Sequence, residues 1–180
     1  MILDENNTAL LIIDIQEKLL NSVFNKDLVL KNSKILASVS KILGIPTIIT
    51  EQYPKGLGET IEEIKSVVAT NYYFEKVDFN ALTDKTLLKK LKQLKKKQII
   101  LFGIETHICV HQTASALIRN GFDVVLAKDA CGSRSEFEHN TSIEEMRTYG
   151  VQIKTTEMIL FELLKSARHP NFKEIQTLIK

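Results

Sequence analysis

The chain has 180 residues, of which 44% are hydrophobic and 26% are charged, with only seven glycines and three prolines. This composition predicts a globular protein with a substantial core, organised as one domain over residues 1–180. The net charge of +2 at pH 7 is too small to indicate a nucleic acid or an anionic membrane as partner. No run is long enough to span a membrane, and the N-terminal apolar stretch lacks a basic leader, so we expect a cytoplasmic protein.

Strand-like and helix-like segments alternate along the whole chain, without a Pro/Gly/Ser-rich linker or an internal repeat. Short apolar runs rich in β-branched residues predict strands at 8–13, 45–50, 72–76, 98–103, 122–127 and 151–154. Helical spacing of apolar residues predicts helices at 27–43, 59–67, 85–96, 108–120, 136–149 and 157–166. Such alternation predicts an α/β fold of three layers, with helices on both faces of a mostly parallel six-stranded sheet.

The lysine-rich run at 89–98 is the one strongly basic segment. Leucines at 87, 88, 91 and 94 recur there at helical spacing. The lysines are therefore interpreted as the solvated face of an amphipathic helix and not as a binding surface.

Polar residues stand where several predicted strands end. Asp14 and Gln16 follow the first strand, and Lys76 ends the third. The others are Glu51, Gln52 and Tyr53 after the second strand and Glu105 and Cys109 after the fourth. Ligands of open α/β sheets bind beyond the carboxyl ends of the strands, so these side chains are candidates for one crevice. Two alternatives stay open, because a strand-end aspartate also fits a helix cap and an isolated lysine also fits a solvated surface charge.

Cys109 lies between the apolar run 98–104 and a helical pattern, directly after a short polar turn. We expect it in the first helical turn, where free N–H groups and the helix dipole lower the pKa of a thiol and can hold a developing oxyanion. The alternative is a buried cysteine that acts as a small hydrophobe. The second cysteine, Cys131, is not assigned any chemistry, and two cysteines do not indicate a disulfide framework.

His107 and His111 are the obvious partners for a thiol, since each stands two residues from Cys109. Two residues correspond to a rotation of about 200° along a helix, which turns both side chains away from the face of the thiol. We therefore do not assign either histidine as the base.

Three motifs carry a resemblance to a known family: LLIIDIQ around Asp14, KVDFNAL from Lys76 and GIETHICV around Cys109. In their order and spacing, and over nearly its whole length, the chain resembles the isochorismatase-like cysteine hydrolases, which include nicotinamidases and related amidases. The segments TEQYPKGLG (50–58), DACGSRS (129–135) and HPNFKEIQ (169–176) resemble especially the small isochorismatase-domain-containing subgroup.

The resemblance implies a catalytic triad in which Cys109 is the nucleophile, Asp14 takes the thiol proton and Lys76 supports the thiolate. Such a triad attacks an amide or related C–N bond of a small molecule and passes through a thioester. The resemblance also implies an oxyanion hole formed by the backbone N–H groups of Glu105 and Cys109, with a cis peptide bond between Ile104 and Glu105.

Substrate contacts and assembly are further expectations. Gln16 and Tyr53 lie on strand-end loops and are candidates for contact with the substrate. The resemblance implies a homo-oligomer, to which the apolar residues of the segment 159–180 can contribute an interface. The alternative is that these residues close the core.

No metal or other cofactor is expected. The nicotinamidase branch of the resemblance carries an Asp-x-His motif and further histidines after the second strand. This chain has TEQYPKGLGETIEE there and no histidine before Glu105, so a histidine-rich metal site is not available in that region.

Three other functions stay open. The first is an isochorismatase-type hydrolase that cleaves an enol ether and releases pyruvate, a reaction that does not require a thiol. The second is a non-catalytic protein that binds a small molecule on the same fold. The third is a redox-sensing thiol. Because all three triad positions are filled, the sequence favours covalent hydrolysis.

Overall fold

The computed structural model describes residues 1–70 and 72–180. Its sheet has six parallel strands in the order β3-β2-β1-β4-β5-β6. The strands are β1 (Thr8–Ile13), β2 (Thr47–Gln52), β3 (Tyr73–Lys76), β4 (Gln98–Ile104), β5 (Asp123–Gly132) and β6 (Gln152–Lys154). The predicted α/β architecture with a six-stranded parallel sheet is confirmed.

Helices connect the strands. They are α1 (Glu17–Leu20), α2 (Lys26–Leu43), α3 (Pro54–Leu57), α4 (Glu62–Lys65), α5 (Lys85–Gln93), α6 (His111–Arg119), α7 (Glu136–Thr148), α8 (Thr156–Leu164) and α9 (Phe172–Thr177). The helix predicted at 59–67 is reduced to the single turn α4, and the short helices α1, α3 and α9 were not predicted. In the described parts of the chain, no helix combines the length and apolar character needed to cross a bilayer.

The two central strands explain why the sheet forms. Every residue of β1 and of β4 is buried, as expected for parallel strands whose two faces are both covered by helices. Helix α5 shows how the covering helices are encoded. The Asp84 carboxylate caps it by accepting from Thr86 N at 2.7 Å, and its Leu87 and Leu91 are buried while most of its lysines are exposed. The lysine run is thus the solvated face that the sequence predicts.

Gly103 allows β1 and β4 to come close at their carboxyl ends. It pairs with Ile13, and its φ of +131° lies in a region that side-chain-bearing residues rarely adopt. A Cβ at this position would lie 2.0 Å from Ile13 O. The segments that follow Ile13 and Ile104 therefore leave the sheet side by side.

The order of the strands reverses between β1 and β4. From β1 the chain builds outward to β2 and β3, and it then returns to β4 and builds outward in the other direction. A crevice forms at such a switch point, beyond the carboxyl ends of the strands. Asp14 follows β1 and Glu105 follows β4, so the predicted site residues border this crevice.

The C-terminal helices close part of the core. Leu164 and Ile175 are buried, and the ring of Phe161 packs against Phe172 with 6.4 Å between the centroids. Of the five residues of the stripe predicted in 159–180, Leu164 and Ile175 thus belong to the core, and Phe161, Phe172 and Leu178 do not. Phe161 itself is 41% exposed, so a role of this surface in assembly stays a prediction.

Candidate active site

The fold brings Asp14, Lys76 and Cys109 together. Asp14 follows β1 with a left-handed φ of +51°, Lys76 is the last residue of β3, and Cys109 lies in the turn after β4. Lys76 Nζ donates to Asp14 Oδ2 at 2.6 Å, and the side chains of both residues are buried. Cys109 is only 6% exposed, and its thiol lies close enough to both groups for their charges to affect its pKa.

Two residues of β2 hold this ion pair in place. Thr50 Oγ1 donates to Asp14 Oδ1 at 2.7 Å, and Gln52 Oε1 accepts from Lys76 Nζ at 2.6 Å. Their roles follow from the register, because Thr50 pairs with Ile13 and Gln52 pairs with Lys76. Sequence reasoning missed Thr50 and named Gln52 only as one of the polar strand-end residues. Their spacing of two along a strand, which puts them on one face, was the available signal.

The pKa of the Cys109 thiol differs from the sequence-based expectation. Burial raises its pKa to about 12, the negative charge of Asp14 adds to this increase, and Lys76 opposes it. The expectation of a lowered pKa is wrong because the thiol is far more deeply buried than an exposed helix N-terminus would leave it. The thiol is therefore protonated at neutral pH.

The turn that carries Cys109 is not the start of an α-helix. Residues Thr106–Val110 form a π-helical turn, and α6 begins only at His111. Ile108 N and Val110 N both donate to Glu105 O, at 3.1 and 3.2 Å. The Ile104–Glu105 peptide bond is cis, as the resemblance implies. Within residues 1–70 and 72–180, no backbone or side-chain acceptor engages the Glu105 N–H.

The Glu105 side chain is buried and forms an ion pair at the edge of the site. Arg134 Nε donates to Glu105 Oε1 at 2.9 Å, and Arg134 Nη2 donates to Glu105 Oε2 at 3.3 Å. This two-point contact neutralises a carboxylate next to the turn that carries Cys109. Arg134 belongs to the DACGSRS segment, whose contribution to the site was not predicted at the level of residues.

The histidines form hydrogen bonds with other side chains. His107 Nδ1 lies 3.0 Å from Ser133 Oγ, and His111 Nδ1 lies 3.1 Å from Ser142 Oγ. His139 is buried, and its Nδ1 lies 2.9 Å from Thr106 Oγ1. Burial lowers the pKa of His139 to about 4, so this ring is neutral at pH 7.

The two candidates for substrate contact differ in their surroundings. Gln16 is fully buried, its Oε1 accepts from Gln52 N at 2.8 Å, and its Nε2 donates to the carbonyl oxygens of Gln52 and Gly58. Both amide hydrogens of Gln16 are thus used, so Gln16 connects the strand-end loops instead of offering a donor to a ligand.

Tyr53 is half-exposed and lines an open cleft of about 530 Å³ that reaches Lys76. The cleft also contains three carboxylates and the ammonium of Lys55; the carboxylates belong to Glu75, Asp78 and Asp84. Tyr53 remains a predicted substrate contact.

The described residues contain no group of three or more His, Cys, Asp or Glu side chains that could hold a metal ion. Cys131 is fully buried on β5 in register with Gly103, and burial raises the pKa of its thiol to about 12. Both cysteines are free thiols.

Comparison with known proteins gives consistent matches. Residues 8–158 match the isochorismatase domain. Isochorismatase family protein 1A of Dictyostelium discoideum is 40% identical over 178 residues, which cover 96% of this chain and 86% of that protein.

Two solved structures extend the match to three dimensions. The structure of the MAR1 ribonuclease from Caenorhabditis elegans is 37% identical, with a TM-score of 0.94 over 99% of this chain and 92% of that chain. The YcaC gene product from Escherichia coli, described as an octameric hydrolase of unknown specificity, is 28% identical, with a TM-score of 0.90 over 98% of this chain and 95% of that chain. The chain therefore belongs to the isochorismatase family and has the hydrolase fold of that family.

Proposed function

We propose that the protein is a cysteine hydrolase that cleaves an amide or related C–N bond of a small molecule through a thioester on Cys109. The observation that carries this proposal is the buried ion pair of Asp14 and Lys76, 2.6 Å apart, whose two charges both affect the pKa of the Cys109 thiol. A carboxylate and an ammonium placed beside a thiol supply a proton acceptor and a charge that stabilises the thiolate.

The raised pKa of Cys109 determines the order of the first step. Because the resting thiol is protonated, Asp14 accepts its proton as the sulfur attacks the carbonyl carbon of the substrate. Lys76 stabilises the negative charge as it moves from the carboxylate to the sulfur and on to the carbonyl oxygen. We propose the N–H groups of Glu105 and Cys109 as donors to that oxygen, and the unengaged Glu105 N–H supports this role.

The remaining steps return the site to its starting state. Protonated Asp14 donates its proton to the leaving nitrogen, the C–N bond breaks and the acyl group stays on Cys109 as a thioester. Asp14 then accepts a proton from water, whose oxygen attacks the thioester. The tetrahedral intermediate releases the acid, and the sulfur recovers its proton from Asp14.

The cleft limits the substrate. It is lined by Lys76 but not by Asp14 or Cys109, so we propose it as the entrance to the site, and its volume of about 530 Å³ suits a small molecule. Lys76 is already paired with Asp14, which leaves the carboxylates of Glu75, Asp78 and Asp84 facing the single ammonium of Lys55. An excess of negative charge disfavours anionic substrates, so we expect neutral or cationic amides to be preferred over amides that carry a carboxylate.

Ammonia release from a panel of neutral, cationic and anionic amides tests the proposal. The wild-type protein is compared with Cys109→Ala and with Ser115→Ala, a matched control on α6. We expect release by the wild type and by the control and none by Cys109→Ala. Turnover by Cys109→Ala at the wild-type rate would contradict the covalent mechanism.

The alternatives are further outcomes of the same panel. Pyruvate release from isochorismate that persists in Cys109→Ala would support enol-ether hydrolysis. Cleavage of RNA is included because the C. elegans relative is named as a ribonuclease. We expect no cleavage of RNA, because the acidic cleft repels a polyphosphate chain. Ligand binding without turnover of any compound would support the non-catalytic alternative.

A further inference from the structure

Helix α7 binds the turn of the nucleophile through two buried side chains. His139 Nδ1 lies 2.9 Å from Thr106 Oγ1, and Ser142 Oγ lies 3.1 Å from Thr106 O. Thr106, His139 and Ser142 are all buried. The first residue of the turn is thus held by its side chain and by its carbonyl, and both contacts come from one helix.

The hydrogen-bond directions around Ser142 follow from its single hydroxyl hydrogen. The Thr106 carbonyl can only accept, so Ser142 donates to it. The second contact of Ser142, at 3.1 Å from His111 Nδ1, must then be one in which the hydroxyl accepts. His111 therefore carries a hydrogen on Nδ1, while its Nε2 lies 3.7 Å from Glu145 Oε2. One chain of hydrogen bonds therefore runs from His111 through Ser142 to the turn.

Such support matters because the backbone hydrogen bonds of the turn are irregular: His111 N donates to Thr106 O and to Ile108 O, in a π-helical pattern. Two of its N–H groups share Glu105 O, so the segment is not held by the regular ladder of an α-helix. Buried polar groups that lose a partner are costly, which makes the α7 contacts a strong constraint on the position of Thr106.

We propose that His139 and Ser142 are positioning residues that hold the Thr106–Val110 turn, and with it the Cys109 sulfur, in contact with Asp14 and Lys76. The inference rests on the proposed function and extends it to residues that do not belong to the triad. A misplacement of about 1 Å costs roughly a hundredfold in rate, so a small relaxation of the turn has a large effect.

The test measures the rate at which iodoacetamide alkylates Cys109 in the native protein, with the modified peptide quantified by mass spectrometry. We expect Ser142→Ala and His139→Leu to lower this rate by about ten- to a hundredfold. Ser142→Thr keeps the hydroxyl, so it restores the rate. Thr141→Ala changes an exposed residue on the same helix and leaves the rate unchanged. With an amide that the panel identifies, kcat falls while KM stays near its wild-type value.

Cys131 reports whether each variant is folded, because this buried thiol reacts only when the chain unfolds. If Ser142→Ala does not fold, Thr106→Val keeps the volume of the turn and removes the hydroxyl that contacts His139. Wild-type alkylation rates in the folded variants, or a failure of Ser142→Thr to restore the rate, overturn the inference.

Lys76→Met separates the two levels of the argument, because Lys76 opposes the increase in the pKa of the Cys109 thiol. An alkylation rate that does not fall in the folded Lys76→Met variant contradicts the proposed function. A rate that falls in Lys76→Met and stays at the wild-type level in Ser142→Ala and His139→Leu contradicts only the positioning role.

Discussion

The burial of the ion pair of Asp14 and Lys76 has a cost in free energy. Both side chains are removed from water, and their contact at 2.6 Å is completed by Thr50 on one carboxylate oxygen and by Gln52 on the ammonium. Burying charged groups is unfavourable unless each is paired and hydrogen-bonded. Such a pair is weak evidence for stability, and the proposed function gives it a chemical role beside Cys109.

A double-mutant cycle on Asp14 and Lys76 tests whether the two residues contribute to stability together. Lys76→Met leaves a buried carboxylate without its cation, and we expect it to lower the free energy of unfolding by about 3–5 kcal/mol. The double variant Asp14→Asn/Lys76→Met has no uncompensated charge, so it should be more stable than Lys76→Met alone. Urea unfolding of the two single variants, the double variant and the wild type measures this, and purely additive losses would show that the two residues are independent.

The sequence predicted the three triad residues as neighbours but did not predict the state of the thiol. Asp14, Lys76 and Cys109 each stand in a motif at a strand end, so position alone indicated a shared crevice. The pKa of Cys109 depends on how deeply the thiol is covered, and this depth is set by the π-helical turn at Thr106. No periodicity of the sequence reports such a turn.

At the scale of the elements, the contact between β1 and β4 controls the geometry of the site. β1 ends at Ile13 and β4 ends at Ile104, and the residues after both strands border the crevice. Gly103 permits the close approach of the two strands. The positions of the strands in the sequence were well predicted, because continuous apolar runs are a strong signal for buried strands. The extension of β5 to Gly132 was not predicted, since Lys128 and Asp129 interrupt its apolar pattern.

Gly103→Ala tests the importance of this approach. The new Cβ would lie 2.0 Å from Ile13 O, so the strands must separate. We expect a loss of stability of several kcal/mol or a failure to fold, measured by urea unfolding. Gly150→Ala is the matched control, because Gly150 also has a positive φ, of +99°, but has nothing within 4 Å of the added Cβ. We expect this control to lose only the strain of its φ, about 1–3 kcal/mol. Equal losses in both variants would indicate that backbone strain, and not the contact with Ile13, explains the effect.

At the scale of the whole molecule, the surface near α8 is the best candidate for assembly. Leu3 N donates to Glu162 Oε2 at 3.0 Å, which places the N-terminal residues beside this helix. Ile2, Met158 and Phe161 expose large apolar side chains. The sequence indicated an apolar stripe here but could not separate core residues from surface residues, because that division depends on how α8 and α9 pack.

We expect the protein to form a homo-oligomer in solution, with a mass that is a multiple of 20.4 kDa, as the octameric E. coli relative suggests. Phe161→Glu places a charge in the expected interface and should shift the mass toward the monomer in analytical ultracentrifugation. Phe137→Glu is the matched control, because Phe137 is also exposed but lies on α7. A monomeric wild type would contradict the expectation, and a mass lowered only by Phe137→Glu would place the interface at α7.

The pairing of Cys131 with Gly103 also makes the two cysteines reporters of different folding events. Cys131 becomes protected from labelling when β5 pairs with β4. The Cys109 environment is complete only when β1 and β3 are also in place, because it needs Asp14 and a lysine 62 residues further along the chain. Parallel pairings between distant segments form slowly. In a refolding chain labelled at successive times, Cys131 should therefore become protected before Cys109 acquires its native reactivity, and the interval between the two events measures how long the N-terminal half of the sheet takes to dock.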